Sequence, residues 1–252
     1  MKQWFEKNDF WERWASVLFP EERWEKAPEE VDNLISRLGI SPGSTLLDLC
    51  CGPGRHALEF ARRGFSVVGV DRTEIYLKKA RNLAETEGLD LELVQEDMRA
   101  FCRPDSFDAA INLFTSFGFF EDSKDDELVA KNVHASLKDG GHFLMDTMGK
   151  EILARIFRER DWYDLDGAMM LEERRVAQNW SWIENRWILV KDGKADEFEF
   201  GFRLYSAAEI SALLRSGGFE GIEIYGDLAG APYDHEANRL VVVARKGKGK
   251  SG

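Results

Sequence analysis

Residues 45–57 read TLLDLCCGPGRHA and hold the strongest structural signal in the chain. A short apolar run ends there at a turn that contains Gly52 and Gly54, and a segment with helical periodicity follows. Glycine at such a turn lets a ligand approach the backbone, and the helix that begins there offers free amides to an anionic group. This stretch predicts a ligand-binding strand–turn–helix unit.

The rest of the chain up to residue 147 repeats this rhythm of apolar runs and amphipathic segments. Continuous apolar runs are typical of strands buried on both faces, and strands that alternate with helices imply parallel crossovers. The sequence therefore predicts an α/β fold with a doubly wound, seven-stranded, mainly parallel sheet. The last two apolar runs, 222–225 and 240–245, are joined without a helix pattern, so the last strand is expected to be antiparallel.

Residues 172–203 break the rhythm and predict three antiparallel strands, with a hairpin turn at 191–194. We expect this β insertion to be a lid, a substrate region or a dimer region. The expected organisation is an N-terminal helical cover, a cofactor-binding Rossmann-like core, the insertion, the completion of the core sheet and a flexible tail, at 1–40, 41–150, 151–204, 205–246 and 247–252.

Composition narrows the class of protein. The 252 residues include 34 basic and 46 acidic side chains, and this net charge of −12 disfavours a duplex nucleic acid as partner. The N-terminus has no apolar signal region, and no apolar run is long enough to span a membrane. The three cysteines have no metal-ligand spacing. We expect a cytoplasmic protein with no metal. The acidic charge and the insertion favour a small-molecule substrate over a nucleic acid.

The eight tryptophans are unevenly distributed. None lies between residues 25 and 161; they occur at 4, 11, 14, 24, 162, 180, 182 and 187. Both groups therefore fall in the N-terminal cover and in the insertion, outside the expected sheet. They either fill the core beneath these segments or form an apolar cover over a pocket, and a homodimer interface is a further alternative.

Three acidic residues indicate the ligand. Asp71 ends the second apolar run, nineteen residues after Gly52, where a ribose-binding acid belongs, and the loop on its own also satisfies the dinucleotide fingerprint. Asp48 lies within the first strand, where a charge is costly unless it faces a polar partner such as an ammonium group. Asp97 follows the third strand. Together the three suit a ligand with an ammonium, a ribose diol and an adenine amine, and NAD has no ammonium.

At these motifs the chain resembles the class I methyltransferases that use S-adenosylmethionine (SAM). The resemblance covers about residues 30–150 and the final helix and two strands, and Cys50 occupies the place of the family's usual first glycine. It implies that Asp48 and the loop bind the methionine part, that Asp71 binds the ribose, and that Asp97 and Met98 bind the adenine. The full set of cofactor residues that it implies is Asp48, Cys50, Gly52, Gly54, Asp71, Arg72, Asp97, Met98, Asn112 and Leu113.

The resemblance implies transfer of a methyl group to an oxygen or nitrogen of a small, partly apolar molecule. The substrate residues are expected to be Phe114, Phe117, Tyr233, Arg239 and Trp11. His235 is the candidate base by its loop position, and His56 either lines the site or only starts a helix. The alternatives are a nicotinamide-dependent oxidoreductase and a SAM-binding protein without catalysis, acting as a sensor or partner subunit.

Overall fold

The computed structural model describes residues 3–165 and 167–248, which form two sheets. The larger sheet has seven strands in the order β10-β11-β5-β4-β1-β2-β3. β11 is antiparallel to both of its neighbours, and the other pairs are parallel. This confirms the predicted doubly wound sheet with an antiparallel last strand. Its strands are β1 Thr45–Leu49, β2 Ser66–Asp71, β3 Glu92–Gln95, β4 Phe107–Asn112, β5 Leu137–Thr147, β10 Phe219–Tyr225 and β11 Leu240–Lys246.

Helices cover both faces of this sheet. One face packs against α4 and α5 through residues such as Leu34 and Phe60, and the other against α7 and α9 through Val133 and Leu214. Leu46 and Leu47 of β1 enter opposite cores, which is why consecutive positions of this strand are apolar. The helices are α1 Asn8–Arg13, α2 Ala15–Leu18, α3 Glu21–Glu25, α4 Ala27–Leu38, α5 Arg55–Arg62, α6 Glu74–Glu87, α7 Ser123–Ser136, α8 Lys150–Ile156 and α9 Ala207–Ser216.

The insertion forms a separate antiparallel sheet of four strands, one more than the sequence predicted. They are β6 Arg160–Leu165, β7 Ala168–Ala177, β8 Trp182–Lys191 and β9 Lys194–Arg203. β6 was missed because it is an edge strand with little burial, so its sequence RDWYDL lacks the apolar alternation that marks a half-buried strand. Helix α8 was missed as well, since only two of its seven residues are buried.

The N-terminal segment packs against the insertion. Phe10 and Trp14 form a cluster with Met170, and the Phe10 and Phe198 ring centroids lie 4.3 Å apart. The indole Nε1 of Trp4 donates a hydrogen bond of 2.7 Å to the backbone oxygen of Gly201. This part of the N-terminal cover forms the two short helices α1 and α2. The two tryptophan-rich segments thus cover each other and the strand ends beneath them.

No helix among the described residues is long and apolar enough to span a membrane. The expected flexible tail at 247–252 lies outside the described residues from position 249 onward, as do the first two residues of the expected N-terminal cover.

The turn after β1 depends on left-handed backbone conformations. Gly54 has φ +85°, and a Cβ there would lie 2.8 Å from the Cβ of Ala80. Cys50 has φ +65° without being glycine. The residue that departs from the family pattern therefore keeps a conformation in which glycine is favoured, at a modest cost in backbone strain.

We predict that Gly54→Ala lowers the free energy of unfolding by about 1–3 kcal/mol more than Gly88→Ala does. Both glycines have positive φ, but a Cβ on Gly88 meets no atom within 4 Å. Urea denaturation of the two variants measures the difference. Equal losses would show that α5 and α6 can separate to accept the added methyl group.

Candidate functional site: a cavity at the strand ends of the core sheet

A cavity of about 400 Å³ lies at the carboxyl ends of β1, β2 and β4. The N-terminal segment and the insertion close it from above. Its walls combine aromatic side chains from these two segments with the glycine turn and with acidic and basic groups. Ligands bind at this edge of doubly wound sheets because strands, helix N-termini and loops converge there. Among the described residues, no group of three or more His, Cys, Asp or Glu could hold a metal ion.

Asp48 lines the cavity and is 3% exposed. Its Oδ2 atom is buried without a hydrogen-bond partner among the described residues. Burial raises the pKa of Asp48 to about 7, an effect that Asp71 increases and that the charge of Arg55 opposes. A buried carboxylate oxygen without a partner needs a donor or a cation. The ammonium of SAM fits this requirement.

Asp71 braces the glycine turn. Its Oδ2 accepts a hydrogen bond of 2.9 Å from the Gly52 amide, and its Oδ1 accepts one of 2.8 Å from the Thr73 amide. Burial raises the pKa of Asp71, and these two amides lower it. The side chain thus joins the end of β2 to the turn after β1, at the wall of the cavity.

The adenine side of the predicted site contains Asp97, Met98 and Arg72, which all line the cavity. Asp97 is held by Arg99, whose Nη2 lies 2.7 Å from Oδ2, so its carboxylate is already paired. Arg72 donates to the backbone oxygen of Phe5 in the N-terminal segment. The Cys50 sulfur lies 3.6 Å from the sulfur of Met98, which places the first cysteine of the turn beside this wall.

Three of the remaining cofactor candidates support the cavity or border it. Leu113 lines it, but Gly54 and Asn112 do not. The Asn112 side-chain nitrogen donates 3.0 Å to the Leu49 backbone oxygen, which ties β4 to β1 below the turn. Gly54 lies against α6. The structure gives Gly54 and Asn112 positions from which they shape the turn without facing the cavity.

Phe114 and Arg239 lie close together, where the loop after β4 meets the loop before β11. Phe114 has φ +57° and its ring lies 5.7 Å from the guanidinium of Arg239. Arg239 pairs with Asp146, its Nε lying 2.6 Å from Oδ1. Its Nη2 also donates to Thr115 Oγ1 at 3.1 Å.

His56 lines the cavity beside Phe114, with ring centroids 5.7 Å apart. Its Nε2 lies 2.8 Å from Glu30 Oε2, and Arg55 shares that oxygen at 2.5 Å. Burial lowers the pKa of His56, while its bond to Glu30 raises it. The imidazole is therefore held neutral near pH 7 and oriented by a carboxylate.

Three candidates from the sequence do not line the cavity. His235 has an 86% exposed side chain on the loop before β11. Tyr233 donates its hydroxyl to Glu151 at 2.9 Å, outside the cavity. Phe117 is buried in the core against Tyr205. Each lies in a loop that leaves the correct edge of the sheet, but the loop turns its side chain elsewhere. Trp11, by contrast, lines the cavity and donates to the Phe5 backbone oxygen at 2.8 Å.

Several other charged or polar residues that line the cavity have no signal in the sequence. They come from the cover and from the insertion, where no motif fixes their direction: Arg23, Glu172, Arg174 and Asn185. Only the sheet's period of two places Glu172 and Arg174 on one face of β7, and Asn185 faces Arg174 across the pair of strands. Before the fold is known, this face cannot be assigned to the cavity.

Comparison with known proteins identifies the fold at this site. Residues 46–141 match the family model described as a methyltransferase domain. These residues therefore form a methyltransferase domain. A SAM-dependent methyltransferase from Clostridium acetobutylicum shares the fold with a TM-score of 0.79 at 21% identity, over 95% of this chain and 98% of that one. The predicted family, enzyme class and cofactor are confirmed.

Two relatives extend over nearly the whole chain. YqeM of Bacillus subtilis strain 168, a proposed methyltransferase, is 25% identical over 95% of this chain and 91% of its own. The glycine/sarcosine/dimethylglycine N-methyltransferase of Actinopolyspora halophila is 26% identical over 94% of this chain and 41% of its own. The similarity therefore includes the N-terminal cover and the insertion as well as the methyltransferase domain.

We predict that Asp48→Asn changes how stability depends on pH. An acid whose pKa is raised on folding destabilises the native state as the pH rises from its unfolded value near 4 to its folded value, here about 7. The variant lacks this loss. As the pH rises from 5 to 8, its free energy of unfolding should therefore increase by about 2–4 kcal/mol relative to that of the native protein. Urea titrations at several pH values measure it, with the exposed Asp90→Asn as control; parallel curves would contradict the burial effect.

Proposed function

We propose that this methyltransferase transfers the methyl group of SAM to an oxygen or nitrogen atom of a small, partly apolar molecule. The observation that carries the proposal is the cavity itself, which joins the acid-lined turn to an aromatic chamber closed by the cover and the insertion. A chamber closed in this way admits a small molecule more readily than a nucleic acid, and the net charge of −12 also disfavours a polyanion.

In this proposal the turn after β1 binds the methionine part of SAM. The unpartnered oxygen of Asp48 takes the ammonium, and the turn from Cys50 to Gly52 lies against the chain of the methionine. Asp71 takes the ribose hydroxyls while it holds Gly52 in place. Gly54 and Asn112 act by holding the turn, since neither lines the cavity.

The adenine is assigned to the wall formed by Asp97, Met98 and Arg72. Met98 is 8% exposed and offers an apolar surface to the ring. Asp97 keeps its ion pair with Arg99. The adenine amine can therefore donate only to those carboxylate lone pairs of Asp97 that Arg99 does not occupy. We therefore expect Asp48 and Asp71 to contribute more to SAM affinity than Asp97 does.

The acceptor is assigned to the chamber between Phe114 and the insertion. Its walls include rings from the cover, from the loop after β4 and from β8 and β9, namely Trp4, Trp11, Phe119, Trp187, Phe200 and Phe202. Rings at this density exclude water and give an apolar acceptor a large contact area. Phe114, Trp11 and Arg239 remain substrate candidates, whereas Phe117 and Tyr233 do not reach the chamber.

SAM supplies an activated methyl group, so the protein's main task is to align the acceptor and keep water out. Where the acceptor must lose a proton, His56 is the histidine that the structure brings to the cavity. Its Nε2 is engaged with Glu30, which leaves Nδ1 to accept a proton. Its pKa, lowered by burial, keeps it in the neutral form that a base requires. His235 is too exposed and too far outside the chamber for this role.

One of the relatives supports a small acceptor. The Actinopolyspora halophila relative is named for glycine, sarcosine and dimethylglycine, and its similarity extends across the insertion. This supports a small-molecule substrate and a nitrogen acceptor for the present chain.

Thermal shift with SAM, S-adenosylhomocysteine, NAD and NADP tests the cofactor side. A ligand that binds only the native state raises the unfolding midpoint. We expect SAM and S-adenosylhomocysteine to raise it and the nicotinamide cofactors to leave it unchanged. Stabilisation by NAD alone would overturn the proposal. A metabolite screen with methyl-labelled SAM then identifies the acceptor, and binding of SAM without any methylated product would favour the sensor alternative.

We predict that Asp71→Asn weakens SAM binding by at least tenfold and Asp97→Asn by less, because Asp97 is already paired with Arg99. Isothermal titration with SAM measures both, and urea denaturation checks that Asp71→Asn still folds. A larger loss for Asp97→Asn would assign the ribose and adenine walls the other way round.

We predict that His56→Gln slows methyl transfer to the identified acceptor by about 10²-fold or more while SAM affinity stays within a factor of three. His235→Ala is the matched control and should retain full activity. If instead His235→Ala is slow and His56→Gln is not, the base is on the loop before β11 and the chamber closes differently around the acceptor.

A further inference from the structure

Three arginines surround the ring of Phe114 at the acceptor end of the cavity. The guanidinium carbons of Arg55, Arg23 and Arg239 lie 4.1, 5.5 and 5.7 Å from the ring centroid. They come from α5, from α3 in the N-terminal cover and from the loop before β11. We call these three residues the arginine cluster. Such a concentration of positive charge contrasts with the net charge of −12 of the whole chain.

The acidic groups of the site do not neutralise the arginine cluster. Arg55 pairs with Glu30 at 2.5 Å and Arg239 with Asp146 at 2.6 Å. Arg23 donates to the backbone oxygen of Leu18 at 2.8 Å and has no acidic side chain within ion-pair distance among the described residues. Arg23 is therefore the guanidinium of the cluster without an ion pair among the described residues, while the charge of Asp48 also acts on Arg55.

The excess charge of Arg23 is held in a costly place. Burial lowers the pKa of Arg23, and repulsion from Arg55 and Arg239 lowers it further. Removing a cation from water beside like charges destabilises the native state unless an anion joins it. An anion in the cavity would relieve this repulsion, and it would also hold α3 of the cover against the core.

A second, separate observation indicates a ligand with acceptor atoms. The side-chain nitrogen of Asn185 is buried without a hydrogen-bond partner among the described residues, and Asn185 is 7% exposed and lines the same cavity. Its neighbour across the strands is Arg174, which pairs with Glu172 and so adds no net charge. A buried donor without a partner costs free energy unless a ligand accepts its hydrogen bond.

We propose that the methyl acceptor carries a carboxylate, which the arginine cluster binds through Arg23. This inference rests on the proposed function, because it assigns SAM to the turn and the acceptor to the Phe114 chamber. The charges of SAM agree with this proposal. The ammonium neutralises Asp48, and the positive sulfonium and the negative carboxylate of SAM sum to zero. The positive charge of Arg23 therefore still needs an anion. One acceptor carboxylate neutralises it.

The test uses benzoate as an aromatic carboxylate, benzamide as its neutral isostere and phenyl phosphate as a different anion. Each is titrated by thermal shift and by tryptophan fluorescence, on the protein alone and on the protein saturated with S-adenosylhomocysteine, at constant ionic strength. The variants are Arg23→Gln, the charge-conserving Arg23→Lys, and Arg13→Gln, an exposed arginine of the same cover that does not line the cavity.

We expect benzoate to bind the native protein at least tenfold more tightly than benzamide. Arg23→Gln should remove this preference, Arg23→Lys should keep part of it, and Arg13→Gln should keep all of it. Three results would overturn the proposal: equal binding of benzoate and benzamide, tighter binding of phenyl phosphate than of benzoate, or a loss of S-adenosylhomocysteine affinity in Arg23→Gln with benzoate binding unchanged, which would assign Arg23 to the cofactor. Failure of the proposed function is seen separately, as no binding of SAM or S-adenosylhomocysteine by the native protein.

Discussion

A carboxylate buried in the middle of a sheet is the constraint on which this structure depends. Asp48 lies within β1, between strands that are apolar on both faces, and one of its oxygens has no partner among the described residues. Keeping a charge there is costly, so the surrounding groups are arranged around it: Arg55 lowers its pKa, while burial and Asp71 raise it. The turn after β1, Asp71 and the start of α5 all lie around this carboxylate, at one edge of the sheet.

The cover and the insertion solve a second problem together. The carboxyl edge of the core sheet is open. The short N-terminal helices and the four-stranded sheet each have an aromatic face, and neither could bury that face alone. Packed against each other through Phe10, Trp14 and Met170, they form a roof whose outer strand, β6, stays exposed. Trp162 on that strand is 62% exposed, so not every tryptophan of the insertion belongs to the roof.

Charge is distributed in the opposite sense inside and outside. The surface carries the acidic excess, whereas three arginines meet around Phe114 in the cavity. An acidic exterior repels polyanions at long range, and a basic interior holds a small anion at short range, where screening by salt is weakest. The net charge alone predicts the repulsion of polyanions, but it does not predict the binding of a small anion in the cavity.

The sequence by itself determined the sheet, its antiparallel last strand, and the turn with Asp48 and Asp71, because buried strands, glycine turns and acids at strand ends leave local patterns. It also located the two tryptophan-rich segments. Only the tertiary structure decided which side chains from those segments face the cavity: it brought in Arg23, Arg174 and Asn185 and left His235 in solvent. The physical reason is that motifs constrain neighbours in sequence, while the direction of a loop or of one face of an inserted sheet is set by what packs against it.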